Sequence, residues 1–243
     1  MKESNLTITR NEPVTPTVWR MTLEGDVEEP RPGQFVNLML DGLFLRRPIS
    51  VYDGEQGRVT LLYRTVGVGT RQMAALKPGR TLNALTGLGN GYDLSKAGDA
   101  PLLLGGGVGV PPLYLLARKL REQGINVAAV LGFNTREEVF AEKEFRELGV
   151  RVTVTTADGS HGVKGFVTDA MPEKYSYFYT CGPEPMLRAV FRATGTGGQF
   201  SFEERMGCGL GACMGCSCRT ITGYKRICRE GPVLEKEEIL WED

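Results

Sequence analysis

Five of the six cysteines in this 243-residue chain fall within 21 residues near its end, and their spacing carries the most specific chemistry. Cys208, Cys213, Cys216 and Cys228 read C-x4-C-x2-C-x11-C. The first three match the spacing of a plant-type [2Fe–2S] loop, which takes a more distant fourth ligand. Three thiolates on one tight loop converge on a cluster, and the fourth returns from a separate strand. Gly207, Gly209, Gly211 and Gly215 interleave with them. Glycine allows the unusual dihedrals of such a loop and lets backbone N–H groups face the sulfurs. Cys218 lies two residues past Cys216, so an extended strand points both to one face. It ranks behind the other four, either as a competing ligand or as a small buried hydrophobe. A four-cysteine zinc site is the competing reading. Zinc usually takes two C-x2–4-C pairs, whereas here three cysteines stand together and one apart. A disulfide scaffold would spread its cysteines over a small secreted chain.

Glycine-rich turns form the second set. Gly107-Val108-Gly109-Val110-Pro111-Pro112 follows an apolar run and opens a helical pattern. There a helix N-terminus offers free N–H groups to a phosphate, and absent side chains let the backbone approach a dinucleotide. The fingerprint is incomplete, because Asn134 stands near the second strand end where an acid is expected. Thr180-Cys181-Gly182-Pro183 is another strand-to-helix turn, and both turns belong to the carboxyl edge of one sheet, where α/β proteins bind ligands. Cys181 sits where a small polarizable residue could face a nicotinamide; a core cysteine is the alternative. Earlier in the chain, Arg47 can pair with phosphate, Ser50 can donate to a flavin nitrogen, and the Gly69-Thr70 turn can hold a pyrophosphate. Each of these is weak alone.

The elements that must position these groups fall into three segments. Residues 1–95 carry short strand-like runs (5–10, 18–23, 35–40, 49–52 and 59–64) punctuated by turns, with one short helix over 70–76. This predicts an antiparallel sandwich or barrel. Residues 99–194 alternate strands (102–104, 127–133, 152–155, 177–181) with helices, one carrying Leu113, Leu116, Ala117 and Leu120, one over 137–148, and one starting at Pro183. This predicts an α/β domain with a parallel sheet. A polar linker at 94–99 separates the two. Residues 200–243 hold the cysteines and then turn acidic. No internal repeat is visible.

Composition excludes several classes. Lys+Arg and Asp+Glu are 29 each, so no basic excess serves nucleic acid. His161 is the single histidine, which removes zinc enzymes built on several histidines. The stretch 100–117 is uncharged, but its four glycines and three prolines read as strand, loop and helix rather than a membrane span. The first residues lack the apolar region of a signal peptide. A soluble protein of a reducing, cytoplasmic compartment is expected.

Taken together, the motifs resemble the ferredoxin–NAD(P) reductase superfamily, with R-x-x-S at Arg47–Ser50, G-x-G-x-x-P at Gly107–Pro112 and C-G-x-x-x-M at Cys181–Met186. The run from Glu203 to Cys213, with Cys216 and Cys228, resembles the electron-transfer subunits of two-subunit, NAD-linked dihydroorotate dehydrogenases. So do Leu62-Tyr63-Arg64 and the run from Gly105 to Pro112. The resemblance covers essentially the whole chain. It implies an FAD-binding β-barrel, with Arg47, Pro48, Ile49 and Ser50 by the isoalloxazine and flavin phosphates. It implies Leu62, Tyr63 and Arg64 as a second flavin segment, and Gly69 and Thr70 at the pyrophosphate. It implies an NAD domain using Gly107, Gly109, Pro112, Cys181 and Gly182, then a [2Fe–2S] subdomain on Cys208, Cys213, Cys216 and Cys228 that leaves Cys218 aside. Flavin must stand between the nicotinamide, which carries electron pairs, and the cluster, which takes single electrons. The protein then positions cofactors and supplies no acid–base catalytic residue. The resemblance also implies an FMN-containing catalytic partner in a heterotetramer with two copies of each subunit, acting in pyrimidine biosynthesis. Two alternatives remain: a flavin and iron–sulfur small subunit of a ferredoxin–NADP oxidoreductase, and a zinc-bound interaction module on a degenerate nucleotide-binding domain. NAD rather than NADP rests on the resemblance. Asp158 could meet a ribose hydroxyl, and Arg136 could instead meet a 2′-phosphate.

Overall fold

A computed structural model describes residues 1–241. Strands β1 (Lys2–Pro13), β2 (Val18–Gly25), β3 (Phe35–Leu38), β4 (Arg47–Glu55), β5 (Arg58–Arg64) and β6 (Thr81–Leu88) close an antiparallel barrel in the order β1-β2-β5-β4-β3-β6. Alternation along β5 explains its place. Val59, Leu61 and Tyr63 point into the barrel core, while Leu62 faces the other way, toward the second domain. Helix α1 (Val68–Ala75) buries Met73 against the barrel.

The second unit is a seven-stranded sheet. Its parallel part comprises β7 (Leu102–Gly106), β8 (Ala128–Phe133), β9 (Arg151–Thr156), β10 (Val163–Lys164), β11 (Phe178–Cys181) and β12 (Gly198–Ser201). The hairpin β13 (Ser217–Thr220) and β14 (Gly223–Arg226) follows, and β15 (Val233–Glu235) then returns antiparallel to β12. The sheet order is β10-β9-β8-β7-β11-β12-β15. Helices α2 (Pro111–Glu122), α3 (Glu142–Glu147) and α4 (Glu184–Ala193) cover it. Strand β7 is buried along its whole length, as an unbroken apolar run in a parallel sheet should be. No helix among the described residues is long and apolar enough to cross a membrane. The uncharged stretch over 100–117 forms β7 and the first half of α2.

One predicted element differs. The helix expected over 137–148 is a 3-10 turn at Arg136–Glu138 followed by α3 over only six residues. Between them Ala141 takes a left-handed φ of 61°, which interrupts the helix while Phe140 and Phe145 on either side are buried. Strand β6 and the strands flanking the cysteines were not anticipated. The cysteine segment is therefore an excursion between two neighbouring strands of the sheet, β12 and β15, and the sheet pins both of its ends.

Barrel and sheet meet through β4 and α2. Tyr52 stacks on Tyr114 with ring centroids 4.3 Å apart. Arg118 Nε lies 2.9 Å from Asp53 Oδ1, and its Nη2 donates to the Gly54 carbonyl at 2.7 Å. Arg20 pairs with Glu144 at 2.6 Å and Lys119 with Glu29 at 2.5 Å.

Candidate cofactor-binding site

Strand β4 begins with Arg47-Pro48-Ile49-Ser50, half-buried and paired to β3 in the register Phe35–Ser50, Val36–Ile49, Asn37–Pro48 and Leu38–Arg47. Arg47 folds back on itself, donating to the Leu45 carbonyl. Its guanidinium lies against Gly69, where a Cβ would stand 2.2 Å from Arg47 Nε. The structure thus brings the R-x-x-S segment and the Gly69-Thr70 turn together, and a side chain at 69 would have to push the Arg47 guanidinium aside. Thr70 caps the turn, its Oγ1 accepting from the N–H groups of Val66 (2.9 Å) and Gly67 (3.1 Å). A cationic side chain beside a glycine turn at a helix start suits a phosphate group.

The Leu62–Arg64 segment is split by strand alternation. Leu62 is buried in the cluster that also holds Val110 and Tyr52, and Arg64 is exposed. Tyr63 is directed away from that face. It is buried in the barrel core, where its hydroxyl donates to Asn11 Oδ1 at 3.0 Å. Only its backbone is available to a ligand, and burial pushes its phenol well above the ordinary tyrosine value.

At the carboxyl edge of the sheet the two strand-to-helix turns touch. Cys181 is paired with Gly105 across β11 and β7. A Cβ on Gly109 would lie 2.2 Å from the Cys181 carbonyl oxygen, so the Gly107–Gly109 turn is pressed directly onto the Cys181-Gly182 backbone. Met186 wedges between the turns, and its Sδ would stand 2.4 Å from a Cβ on Gly106 and 2.7 Å from one on Gly182. This explains the methionine of C-G-x-x-x-M. Gly107 has φ +52° and faces open space, leaving its backbone exposed to a ligand. Pro112 is buried in the first turn of α2, where its missing N–H costs nothing. Burial pushes the Cys181 thiol up to about 12, against a hydrogen bond with Ser201 and with help from the Glu203 charge, so it stays neutral at physiological pH.

Further along the same edge, Asp158 Oδ1 accepts from Ser160 N (2.9 Å) and Ser160 Oγ (2.6 Å). These bonds hold its carboxyl below the usual range. Arg136 Nε donates to the Ser160 carbonyl at 3.0 Å. His161 is engaged elsewhere, 2.8 Å from Glu142 Oε2.

The four cysteines fall into two pairs. Cys208 Sγ accepts from the N–H groups of Ala212 (3.2 Å), Leu210 (3.4 Å) and Cys213 (3.4 Å), and Cys213 Sγ accepts from Cys208 N–H at 3.5 Å. Cys216 Sγ accepts from Cys228 N–H at 3.4 Å. Burial disfavours a thiolate at Cys208, but the N–H donors of Leu210, Cys213 and Ala212 outweigh it and bring the thiol down to about 6. Cys228 goes the other way, pushed up to about 12 by burial and by its thiol neighbour Cys216. Arg226 braces the loop, donating to the Gly211 carbonyl at 2.6 Å while gripping Glu230. Cys216 and Cys228 are buried and Cys213 is exposed. Among the described residues, no group of three or more His, Cys, Asp or Glu is arranged to hold a single metal ion. Soft sulfurs ringed by backbone donors, split two and two, fit a dinuclear iron–sulfur cluster. Cys218 packs half-buried against the same apolar cluster as Cys216, on the face that strand alternation predicts, and burial raises its thiol.

Residues 203–240 match the iron–sulfur cluster binding domain of dihydroorotate dehydrogenase B, and residues 103–192 match the oxidoreductase NAD-binding domain. The chain is 42% identical to the dihydroorotate dehydrogenase B (NAD(+)) electron transfer subunit of Geobacillus sp. strain WCH70, over 99% of both chains. The chain belongs to this family. The subunit of the same name from Fusobacterium nucleatum is 44% identical over 96% of each chain. Among solved structures, an NADH-dependent reduced ferredoxin–NADP oxidoreductase described for flavin-based electron bifurcation superposes with a TM-score of 0.88. It shares 31% identity and covers 97% of this chain and 90% of that one. The family resemblance read from the sequence, and the barrel followed by an NAD-binding and an iron–sulfur segment, are borne out.

Sequence reasoning missed Asn37, Ser201 and Tyr92. Asn37 faces the cysteine loop, and Ser201 and Tyr92 sit beside Cys181, Tyr92 donating to the Thr180 carbonyl at 3.2 Å. Their signal is tertiary. A polar residue inside an apolar strand, such as Asn37 in Phe35–Leu38, is the only local hint.

Proposed function

We propose that this chain is the electron-transfer subunit of an NAD-linked dihydroorotate dehydrogenase, passing electrons from the FMN of a partner catalytic subunit through [2Fe–2S] and FAD to NAD in pyrimidine biosynthesis. The single observation that carries the reading is that one chain places a two-plus-two cysteine loop, a flavin-type barrel edge and a nicotinamide-type sheet edge side by side. Near-full-length identity to electron transfer subunits supports it. When bound, FAD exchanges electron pairs with a nicotinamide and single electrons with a cluster, which no side chain here can do.

The residues divide the work of holding these groups. Residues 1–95 hold FAD, with Arg47 and the Gly69-Thr70 turn at its phosphates, Pro48, Ile49 and Ser50 at its ring, and the Leu62–Arg64 backbone beside it. Residues 99–194 hold NAD, with Gly107 and Gly109 giving backbone access and Cys181 and Gly182 flooring the nicotinamide. Cys181 does so as a neutral thiol, which offers a polarizable surface and no competing charge. Residues 200–243 hold the cluster on Cys208, Cys213, Cys216 and Cys228, with backbone N–H groups countering its negative charge. The partner carries the chemistry on dihydroorotate, the assembly contains two copies of each subunit, and it works in the cytoplasm.

The purified chain should contain flavin, iron and acid-labile sulfide. Pulled down from its host it should bring an FMN-containing partner, and the complex should reduce NAD with dihydroorotate. Zinc alone in the chain would overturn the reading. A larger iron–sulfur partner would favour the second reading, the small subunit of a ferredoxin–NADP oxidoreductase, which the 31%-identical structural neighbour supports.

A further inference from the structure

Asn37 lies in the middle of β3, directly opposite Pro48 of the flavin segment, and is 1% exposed. Its Nδ2 is directed at the cysteine loop, 3.5 Å from the carbonyl oxygen of Cys208. The fit is close. A Cβ on Gly209 would stand 2.2 Å from Asn37 Nδ2, so the loop approaches the amide only because residue 209 is glycine, held at φ +71°. The other end of the amide, Oδ1, is buried with no partner in the chain. An asparagine so placed is costly in a strand otherwise made of Phe35, Val36 and Leu38, because a buried amide oxygen without a partner gives up its hydrogen bonds to water and gains none in the fold. Packing alone would favour a fourth apolar residue there.

We infer that Asn37 is a positioning residue for electron exchange between the flavin and the cluster. Its amide pins the first cluster-ligand segment, Cys208-Gly209, to the strand pair that carries Arg47–Ser50, and so fixes the separation and orientation of the two redox groups. The inference rests on the functional reading above and deepens it. Asn37 touches neither reacting atom and acts through the Cys208 backbone.

The test uses the full chain holding FAD and cluster, with NADH as reductant in the absence of oxygen. NADH delivers a hydride to the flavin, and one electron of that pair then moves to the oxidised cluster while the other stays on the flavin. Flavin bleaching reports the first step, and the electron paramagnetic resonance signal of the reduced cluster reports the second. Asn37→Leu keeps the branched shape, with slightly bulkier ends, and removes the donor. It should leave flavin bleaching unchanged and slow cluster reduction by about tenfold, a smaller loss than the roughly hundredfold that a 1 Å misplacement of reacting groups can cost. Asn37→Thr, which restores a hydroxyl donor on a strand-favouring residue, should recover most of that rate. If Asn37→Leu instead loses iron while keeping flavin, the pinning role stands only if Asn37→Thr regains the cluster; failure to regain it overturns the inference. Cluster reduction at the wild-type rate in a fully loaded Asn37→Leu protein also overturns it. Failure of the wild-type chain to bind flavin and cluster, or to be reduced by NADH, would instead defeat the functional reading.

Discussion

Cys213 and Cys228 show how much individual residues can say. Cys213 is exposed, beside Leu210 and Met214, which are also exposed, whereas Cys228 is buried. The pair Cys208–Cys213 therefore lies at the solvent edge of the loop, and Cys216–Cys228 lies on the core. Cys213→Ser removes a proposed ligand at the outer edge, where the loop has few apolar contacts to lose. Iron and sulfide should fall, and dihydroorotate-linked turnover of the complex should drop at least about a hundredfold, since even outer-shell changes at metal sites cost 10–100-fold. Reduction of the flavin by NADH should persist, because the Gly107 and Cys181 turns belong to elements other than the cysteine loop over 208–228. Metal analysis, flavin content and stopped-flow bleaching of the same preparation check this; loss of hydride transfer at full flavin content would put the carriers in the wrong order. The iron–sulfur segment was legible because a cluster fixes cysteine spacing in one dimension, and the family match over residues 203–240 covers that segment. Tyr63 was legible only as part of a segment. Its side chain turns into the barrel because β5 alternates, and a motif does not carry that register.

At the scale of elements, glycine contacts and one carboxylate determine how the edges are held. Gly109→Ala places a methyl 2.2 Å from a carbonyl oxygen of the neighbouring strand turn, and backbone cannot yield there. Overpacking of this kind costs about 1–3 kcal/mol. The larger effect should be on NADH, whose reaction with flavin should slow by about a hundredfold as the turn is pushed off Cys181. Titration of NAD and stopped-flow reduction measure both. Glu235 has a different task. In β15 it accepts from Tyr177 (2.7 Å) and Gln199 (2.8 Å) and pairs with Lys96 (2.6 Å), tying the strand that returns from the cysteine excursion to β12 and to the turn before β7. Burial works against its charge, but Lys96, Gln199 and Tyr177 prevail and hold its carboxyl below the ordinary value. A lowered acid stabilises fully above its unfolded value and loses that contribution as pH falls through the folded one. Glu235→Ala should cost about 1–2 kcal/mol at neutral pH, with little from the exposed Lys96, and its difference from wild type should shrink in acid. Chemical denaturation across pH tests the sign. The sequence showed the strands with strong apolar runs, β7 and β8, clearly. It missed β12 and β15 because each is only three or four residues long and its pairing is decided by the sheet, β12 between β11 and β15 and β15 at the edge, and it overextended α3 because the left-handed Ala141 carries no local signal.

The whole molecule depends on one seam. Strand β4 carries the proposed flavin segment at its start and Tyr52 and Asp53 further along, and α2 starts at the proposed nicotinamide turn and then carries Tyr114 and Arg118. The stack of Tyr52 on Tyr114 and the Arg118–Asp53 pair therefore set the distance between the two edges. Arg118 reaches both Asp53 and the Gly54 carbonyl, so it holds the bend of β4 against the helix. Burial raises the Asp53 carboxyl despite the opposing Arg118 charge. Removing Arg118 leaves that carboxylate half-buried and unpaired, which costs less than the 3–5 kcal/mol of a fully buried orphan; about 2 kcal/mol is expected for Arg118→Met. The deficit should shrink as pH falls through the raised Asp53 value, because protonation removes the unpaired charge. Adding Asp53→Asn should recover most of the stability at neutral pH. Hydride transfer should not recover with it. Without the guanidinium bridge the two edges are free to shift, so flavin reduction by NADH should stay slowed by about tenfold at unchanged KM in both the single and the double variant. Thermal unfolding beside stopped-flow reduction separates these effects. If stability and rate were restored together, the seam would be holding the fold and not the spacing of the cofactors.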